Sequence, residues 1–254
     1  LQTINHACDG RVALHLLSDL HVGSAATRHD RIRRDVARAA SDPSARLAIA
    51  GDVFDAILPG DEKRFDIDNL HPRVRKGDVM GEAIRWAAEL LAPAAGQIIF
   101  VAPGNHDTKA AKRTSLDPVA MLCDALGVPK GEYAGLLRVN LSKRHTLNVG
   151  WWHGHGGGSS RQSAVKQSAR LLDTIDGLDV CWTGHRHQRY AAPVVRYSPT
   201  VKGLKERRVW LVMSGAYMRD AAYSVEALHP PGDLGGVVLR AEVQGGEVVT
   251  EVVL

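Results

Sequence analysis

Short apolar runs recur along the chain, and most break abruptly into a polar turn rich in Gly, Asp, Asn or His. "VALHLLSD", "LAIAGD", "IIFVAPGNHD", "LNVGWW", "LDVCWTGH" and "RVWLVMSG" all have this form. They are short and continuously apolar, which predicts buried strands. Helical patterns separate them. Ile32, Val36, Ala39 and Ala40 recur at helical spacing inside a strongly basic segment. "DVMGEAIRWAAELLA" predicts a helix capped by Asp78, and "DPVAMLCDALG" one with Asp117 as cap, Pro118 at its first position and Gly127 past its end. Residues 160 to 176 read as a further helix stopped by Gly177, and "GGVVLRAEVQGGEVVTEVVL" as a hairpin turning at Gly245-Gly246. Strands alternating with helices indicate an α/β fold. No internal repeat or long linker interrupts the 254 residues, so one domain is expected, with a polar, irregular insertion at 56 to 78 lying over one face.

Composition narrows the class without naming a function. Hydrophobic content of 44% and charged content of 24% suit a soluble globular protein, and no apolar run is long enough to span a bilayer. "LQTINHACDG" has neither the basic start nor the apolar core of a leader peptide, and it lacks an initiator Met, so an upstream segment removed or left out is expected. Cys8, Cys123 and Cys181 are odd in number and widely spaced, which disfavours a disulfide framework or a thiolate zinc site and predicts a reducing, cytoplasmic location. A net charge of +4 is compatible with a polyanionic substrate but does not demand one. The compositional oddity is histidine, with 12 against 5 tyrosines and 3 phenylalanines.

The histidines fall where strands end. Five segments each close an apolar run with Asp, Asn or His: "SDLH" (Asp19, His21), "GDVFD" (Asp52, Asp55), "GNHD" (Asn105, His106, Asp107), "WWHGH" (His153, His155) and "GHRH" (His185, His187). Strand C-termini form the ligand-binding edge of an open α/β sheet, so these groups are expected to converge. In extended chain, positions i and i+2 face one way, which predicts that Asp19 and His21, and likewise His185 and His187, aim at one centre. Any one DxH or HxH is more often surface or core decoration than a ligand pair. All five in order are not. Imidazole with carboxylate and no thiolate suits Mn, Fe or Zn, and the number of donors favours two ions over one.

This set resembles the calcineurin-like metallophosphoesterase superfamily, whose pattern is DxH, GDxxD, GNH(D/E), H and GHxH. The match runs from Asp19 to His187. The resemblance implies a four-layer α-β-β-α sandwich of two facing mixed sheets flanked by helices. It also implies two divalent transition-metal ions, Mn²⁺ first and Fe, Zn or Ni as alternatives. One would take Asp19, His21 and His187 and the other Asn105, His153 and His185, with Asp52 and a hydroxide bridging them. His106 is the implied catalytic acid, oriented by Asp107, and Asp55, His155, Arg186 and Lys109 are expected to support the ligands or touch substrate. The family has one histidine in its fourth motif, so His153, next to the strand end, is the ligand and His155 is not.

The implied activity is phosphodiester hydrolysis by the bridging hydroxide. GNHD, against the GNHE usual in phosphoprotein phosphatases, tilts the substrate toward nucleic acid and the family's DNA-repair exonuclease branch. Phosphomonoesterase, cyclic-nucleotide phosphodiesterase and non-catalytic scaffold are the alternatives. Lys109, Lys112 and Arg113 after GNHD, Lys63, Arg64, His71, Arg73, Arg75 and Lys76 in the insertion, and Arg161 and Lys166 could track phosphates. They could equally be surface charges paired with Asp61, Glu62, Asp66 and Asp68. Phe65 and Tyr133 are the candidate base-stacking aromatics. No membrane partner is expected, and a homodimer is left open.

Overall fold

The computed structural model describes residues 1–55, 65–156, 160–201, 203–219 and 233–254. Two sheets face each other. The six-stranded sheet has the order β1 (Gln2–Ala7), β5 (Ala134–Asn140), β6 (Thr146–Trp152), β7 (Val180–Thr183), β9 (Gly203–Met213), β8 (Tyr190–Thr200). The five-stranded sheet has the order β11 (Glu247–Val253), β10 (Val237–Gln244), β2 (Arg11–Leu17), β3 (Ala45–Ala50), β4 (Ile98–Ala102). Strands β2, β3 and β4 run parallel to one another, as do β6, β7 and β9, while each sheet has an antiparallel edge at one side, β11 on β10 and β8 on β9, and a parallel edge strand, β4 or β1, at the other. Continuous apolar sequence is what such doubly covered strands require.

One core fills the space between the sheets, from Leu14, Leu16, Phe100, Val149, Trp151, Trp182 and Leu239 among others. A second lies outside the five-stranded sheet, where α1 (His29–Ala40), α2 (Val79–Leu91) and α4 (Pro118–Leu126) cover it with Ile32, Val36, Trp86, Leu90 and Leu122. Leu171 of α5 (Arg161–Thr174) packs with Leu178, Cys181 and Leu211 on the outer side of the six-stranded sheet. The layers are therefore α-β-β-α. The fifth helix, α3 (Asn105–Thr114), starts at the end of β4.

Local chemistry sets several boundaries. Asp117 accepts from the backbone N–H of Val119 and Ala120, and α4 ends at Gly127 with φ +66. Asp78 caps α2 by accepting from Gly81. The chain turns from β10 to β11 at Gly245-Gly246, with Gln244 opposite Glu247. Three strands escape the apolar-run criterion. β1 alternates half-buried and exposed positions, and β5 is broken by Arg138. β8 carries Pro193 and Pro199, tolerable because it is an edge strand with no ladder to supply on its free side. Of the insertion expected at 56 to 78, residues 56–64 lie outside the described residues. The remainder forms one 3₁₀ turn, Ile67–Asn69, and buries Leu70 and Val74 against the helical side of the core. Among the described residues no helix is long and apolar enough to cross a membrane.

Candidate metal centre

Asp19, Asp52, Asn105, His153 and His185 follow the C-terminal ends of β2, β3, β4, β6 and β7, five strands from two sheets whose ends meet. Backbone bonds stitch those ends together. Asp19 N donates to Gly51 O, Gly51 N to Ala102 O, and Gly184 N to His153 O. Side chains add a link across the sheets, because the Asp19 carboxylate accepts from the His185 backbone N–H at 2.9 Å.

Three trios of side chains each offer ligand atoms within 4.8 Å of one another: Asp19, His21 and His187; Asp52, His153 and His185; and His21, Asp55 and His106, which shares His21 with the first. In the first, His21 Nε2 and His187 Nε2 lie 3.3 Å apart, and His187 Nε2 is 3.4 Å from Asp19 Oδ1. In the second, His153 Nε2 is 3.1 Å from Asp52 Oδ2 and 3.2 Å from Asn105 Oδ1. His153 Nδ1 donates to Ala50 O at 3.1 Å, which turns the lone pair of Nε2 toward those two oxygens. Lone pairs converging with so few protons between them are what a cation would satisfy, so the residues fit divalent ions. His185 Nε2 donates to Gly156 O at 2.8 Å and leaves its Nδ1 for the centre.

Extended chain does not produce this convergence. Asp19, His21, Asp52, His185 and His187 all have left-handed backbone, with φ of 53, 46, 47, 73 and 55°. Non-glycine residues adopt that region at a cost of about 1–3 kcal/mol each. The i, i+2 reading of DxH and HxH as strand geometry is therefore corrected. Alternate residues share a centre here because both are twisted out of the strand. Two glycines make room. A Cβ on Gly51, itself at φ +97, would fall 2.0 Å from His153 Nδ1, and one on Gly104 would fall 2.2 Å from Asp52 N and Oδ1.

The buried charges balance one another. Burial raises the Asp19 carboxyl, but His187 and His153 outweigh it and hold Asp19 at about 2. Burial opposes ionisation of Asp52 too, yet His153 and His106 keep it well below the ordinary carboxylate range. Burial would lower His153, and Asp52 instead pushes it up to about 9. His187 is raised by Asp19 against its burial, while burial and the neighbouring His153 lower His185.

The residues expected around the ligands divide. Asp55 Oδ1 lies 3.4 Å from His21 Nδ1, and the Asp55 carbonyl accepts from His106 Nδ1 at 2.5 Å. Asp107 does not orient His106. Its carboxylate accepts from the backbone N–H of Val53, Phe54 and Gly104 and ties the GD loop to the start of α3. Burial and the Asp52 charge push Asp107 up to about 6. His106 is mostly buried beside the centre, its side chain 19% exposed and its ring centroid 5.0 Å from that of His21. His153 is fully buried, whereas His155 is exposed and held through its backbone, its N–H donating to Gln167 Oε1 and its carbonyl accepting from Arg186. Arg186 also donates to Gln167 Oε1, so its guanidinium clips loops together. Lys109 is exposed on α3.

Several other expectations resolve differently. Tyr133 donates to Gly154 O and meets the His153 ring edge to face, and Phe65 is partly buried against the helical core. Arg73 donates to Glu89 and covers Trp86, while Arg75 donates to Asp68, so paired charges prevail there. Lys63, Arg64, Asp61, Glu62 and the side chain of Arg161 lie outside the described residues. Sequence reading missed Ser18, whose hydroxyl donates to Asp19 Oδ2, and buried Gln167, whose amide donates to Gly184 O. Ser18 stood inside the quoted SDLH. Nothing in the pattern around Gln167 marked it out.

No family model matches the sequence, and no curated protein does. Solved structures do. GAP50, the anchor in the inner membrane complex of Plasmodium, aligns over 96% of this chain and 85% of its own at 10% identity and TM-score 0.50. The NAD nucleotidase NadN of Haemophilus influenzae aligns over 96% at 10% identity and TM-score 0.49, and this chain spans 49% of its length. Nuclease MPE of Pseudomonas putida aligns over 94% of this chain and 87% of its own, at 13% identity and TM-score 0.40. Likeness at such identity speaks for the fold alone, the two-sheet α-β-β-α sandwich that the motif resemblance implied.

Proposed function

We propose that this chain is a dinuclear-metal phosphodiesterase acting on nucleic acid, DNA first. The observation that carries the reading is the pair of adjoining trios, Asp19/His21/His187 and Asp52/His153/His185, with Asn105 completing the second. Two divalent ions bound there, Mn²⁺ first, would supply an activated water nucleophile and neutralise charge on a phosphoryl oxygen. The chain's own residues do the rest. Asp52, a member of the second trio, lies 3.1 Å from His153 Nε2 through Oδ2, while its Oδ1 accepts from the His106 backbone N–H at 2.8 Å. That bond fixes His106 beside the centre.

With His106 Nδ1 committed to the Asp55 carbonyl, the proton on Nε2 of the imidazolium is the one available to a leaving oxygen. An alkoxide leaves poorly until protonated, so a ring held beside the centre and still reached by solvent suits a general acid. Exposed Lys109 and Lys112, projecting from α3 just beyond His106, favour a substrate carrying more than one phosphate.

The test is a panel run on manganese-loaded protein: bis-p-nitrophenyl phosphate, p-nitrophenyl phosphate, single- and double-stranded DNA, RNA and cyclic dinucleotides. Hydrolysis of the diester and of DNA is expected. Hydrolysis of the monoester alone would replace the reading with a phosphomonoesterase, and no hydrolysis at all by fully loaded protein would leave a binding scaffold.

A further inference from the structure

Behind the candidate centre, on the helical side of the five-stranded sheet, a cleft opens between α1, β2, the start of β10 and the segment after His187. His15, Arg31, Asp35, Arg38, Arg189 and the backbone of Gly236 to Val238 line it. Its polar groups do not balance. Asp35, the acid lining the cleft, is already engaged twice, by the Arg31 guanidinium at 3.2 Å and by the Tyr217 hydroxyl, which donates at 2.8 Å. Nearby acids are also taken. Asp42 accepts from Ser44 N and Oγ, and Glu251 pairs with Arg240.

That leaves three donors without an acceptor. Among the described residues the guanidinium groups of Arg38 and Arg189 meet no carboxylate within ion-pair distance and make no hydrogen bond. His15 is only 5% exposed, and its ring makes no hydrogen bond either. The imidazole, without a protein partner, lines the same cleft as exposed Arg38 and partly exposed Arg189, so the lining offers N–H donors and positive charge to an anion entering from solvent. Burial and the Arg38 charge lower His15 and keep it neutral, a state that still offers one N–H. Guanidinium is the side chain best matched to tetrahedral oxyanions, because its planar fork can donate two bonds at once.

We propose that this cleft binds a phosphate-class anion, either free phosphate or a phosphate group of a polynucleotide strand, held by Arg38, Arg189 and His15. The site is separate from the candidate metal centre but touches the same backbone. Leu17 and Arg189 each stand two residues from a proposed ligand, and Tyr217 divides the two sites, its N–H donating to Asp19 O while its hydroxyl faces Asp35. An anion here would tie α1 to the segment carrying His187. The proposal does not depend on the protein being a hydrolase.

The test follows the imidazole resonances of His15, identified by their loss in His15→Gln, in metal-loaded full-length chain titrated with inorganic phosphate at about 0.1 M chloride. A saturating shift is expected in the unaltered chain and in His153→Ala, with affinity about tenfold weaker or worse in Arg38→Glu. Arg38→Met, which removes charge without reversing it, should weaken binding severalfold and serves if Arg38→Glu does not fold. A dephosphorylated single-stranded oligonucleotide forms the second arm. If it shifts His15 with the same dependence on Arg38, the strand backbone is the ligand; if only inorganic phosphate does, a free anion is. No saturating shift with either probe overturns the proposal. So does a shift indifferent to Arg38 and abolished by His153→Ala, which would place the phosphate at the metal centre.

Discussion

After β6 the chain carries His153, Gly154 and His155, and after β7 it carries His185, Arg186 and His187. Spacing and setting are the same, two imidazoles two positions apart at the end of a buried strand. In the second pair both rings turn into the centre, because both residues adopt left-handed backbone. In the first pair only His153 turns inward. Gly154 takes up the positive φ instead, at 109°, and His155 swings out to solvent with its backbone clamped by Gln167 and Arg186. A ligand pair is therefore made by which residue bears the left-handed turn, and sequence spacing is silent on that.

Removing His153 should cost most. His153→Ala is expected to empty the second trio of its ion and lower turnover by about 10³-fold or more, the loss of several kcal/mol of charge stabilisation. His155→Ala should retain both ions and change turnover less than about threefold. Elemental analysis beside steady-state rates checks both, and equal losses from the two variants would erase the distinction. His106, outside the two trios proposed to hold the ions but grouped with His21 and Asp55 in the third, sharpens it further. His106→Ala is expected to keep both ions and still lose roughly 10²-fold or more in turnover. A missing ion in that variant would make His106 a ligand.

A smaller effect tests how the left-handed ligands are held. Asp55 lies 3.4 Å from His21 Nδ1, and Asp55→Asn should weaken ion affinity by about 10- to 100-fold without abolishing it. Chelator competition measures this, and an unchanged affinity would remove Asp55 from the ring's support.

The smallest effect concerns stability and uses a buried histidine whose acidic neighbour, Asp30, is outweighed. His29 is 6% exposed and stacked on Trp86, and its Nε2 has no hydrogen-bond partner. Burial first, then His71 and Arg33, push its pKa down to about 3, the reverse of His153, which has Asp52 beside it. Below the unfolded pKa of about 6.5 the unfolded chain takes up a proton that the folded chain refuses, so stability falls as pH falls from there toward 3. The slope is about 1.4 kcal/mol per pH unit. His29→Phe keeps the stacking and should lose that part of the slope. Urea denaturation of both proteins from neutral pH to about pH 4 measures the difference. Parallel pH profiles would show that His29 titrates normally.

Much of this was legible in the residues. The apolar runs ending in SDLH, GDVFD, GNHD, WWHGH and GHRH mark β2, β3, β4, β6 and β7, since a parallel strand covered on both faces must be apolar throughout. Asp117, Pro118 and Gly127 bound α4 because capping and left-handed termination are local chemistry. β1 and β8 were not legible, because edge strands are half-wet, and prolines at such edges resemble loops. The role expected of Asp107 went astray for a related reason. Adjacency in sequence put it beside His106, but the first turn of α3 points its carboxylate at three backbone N–H groups of neighbouring loops.

The sequence by itself determined which donors exist and which strand ends present them, because hydrophobic patterning and cap chemistry act over a few neighbouring residues. Only the tertiary structure decided which donors meet. His21 and His187 come within 3.3 Å from 166 positions apart, and one of two histidines in HGH joins them at the centre. That selection rests on left-handed backbone at five of the candidate ligands, a local strain that persists because two packed sheets and their interlocking loops hold it in place.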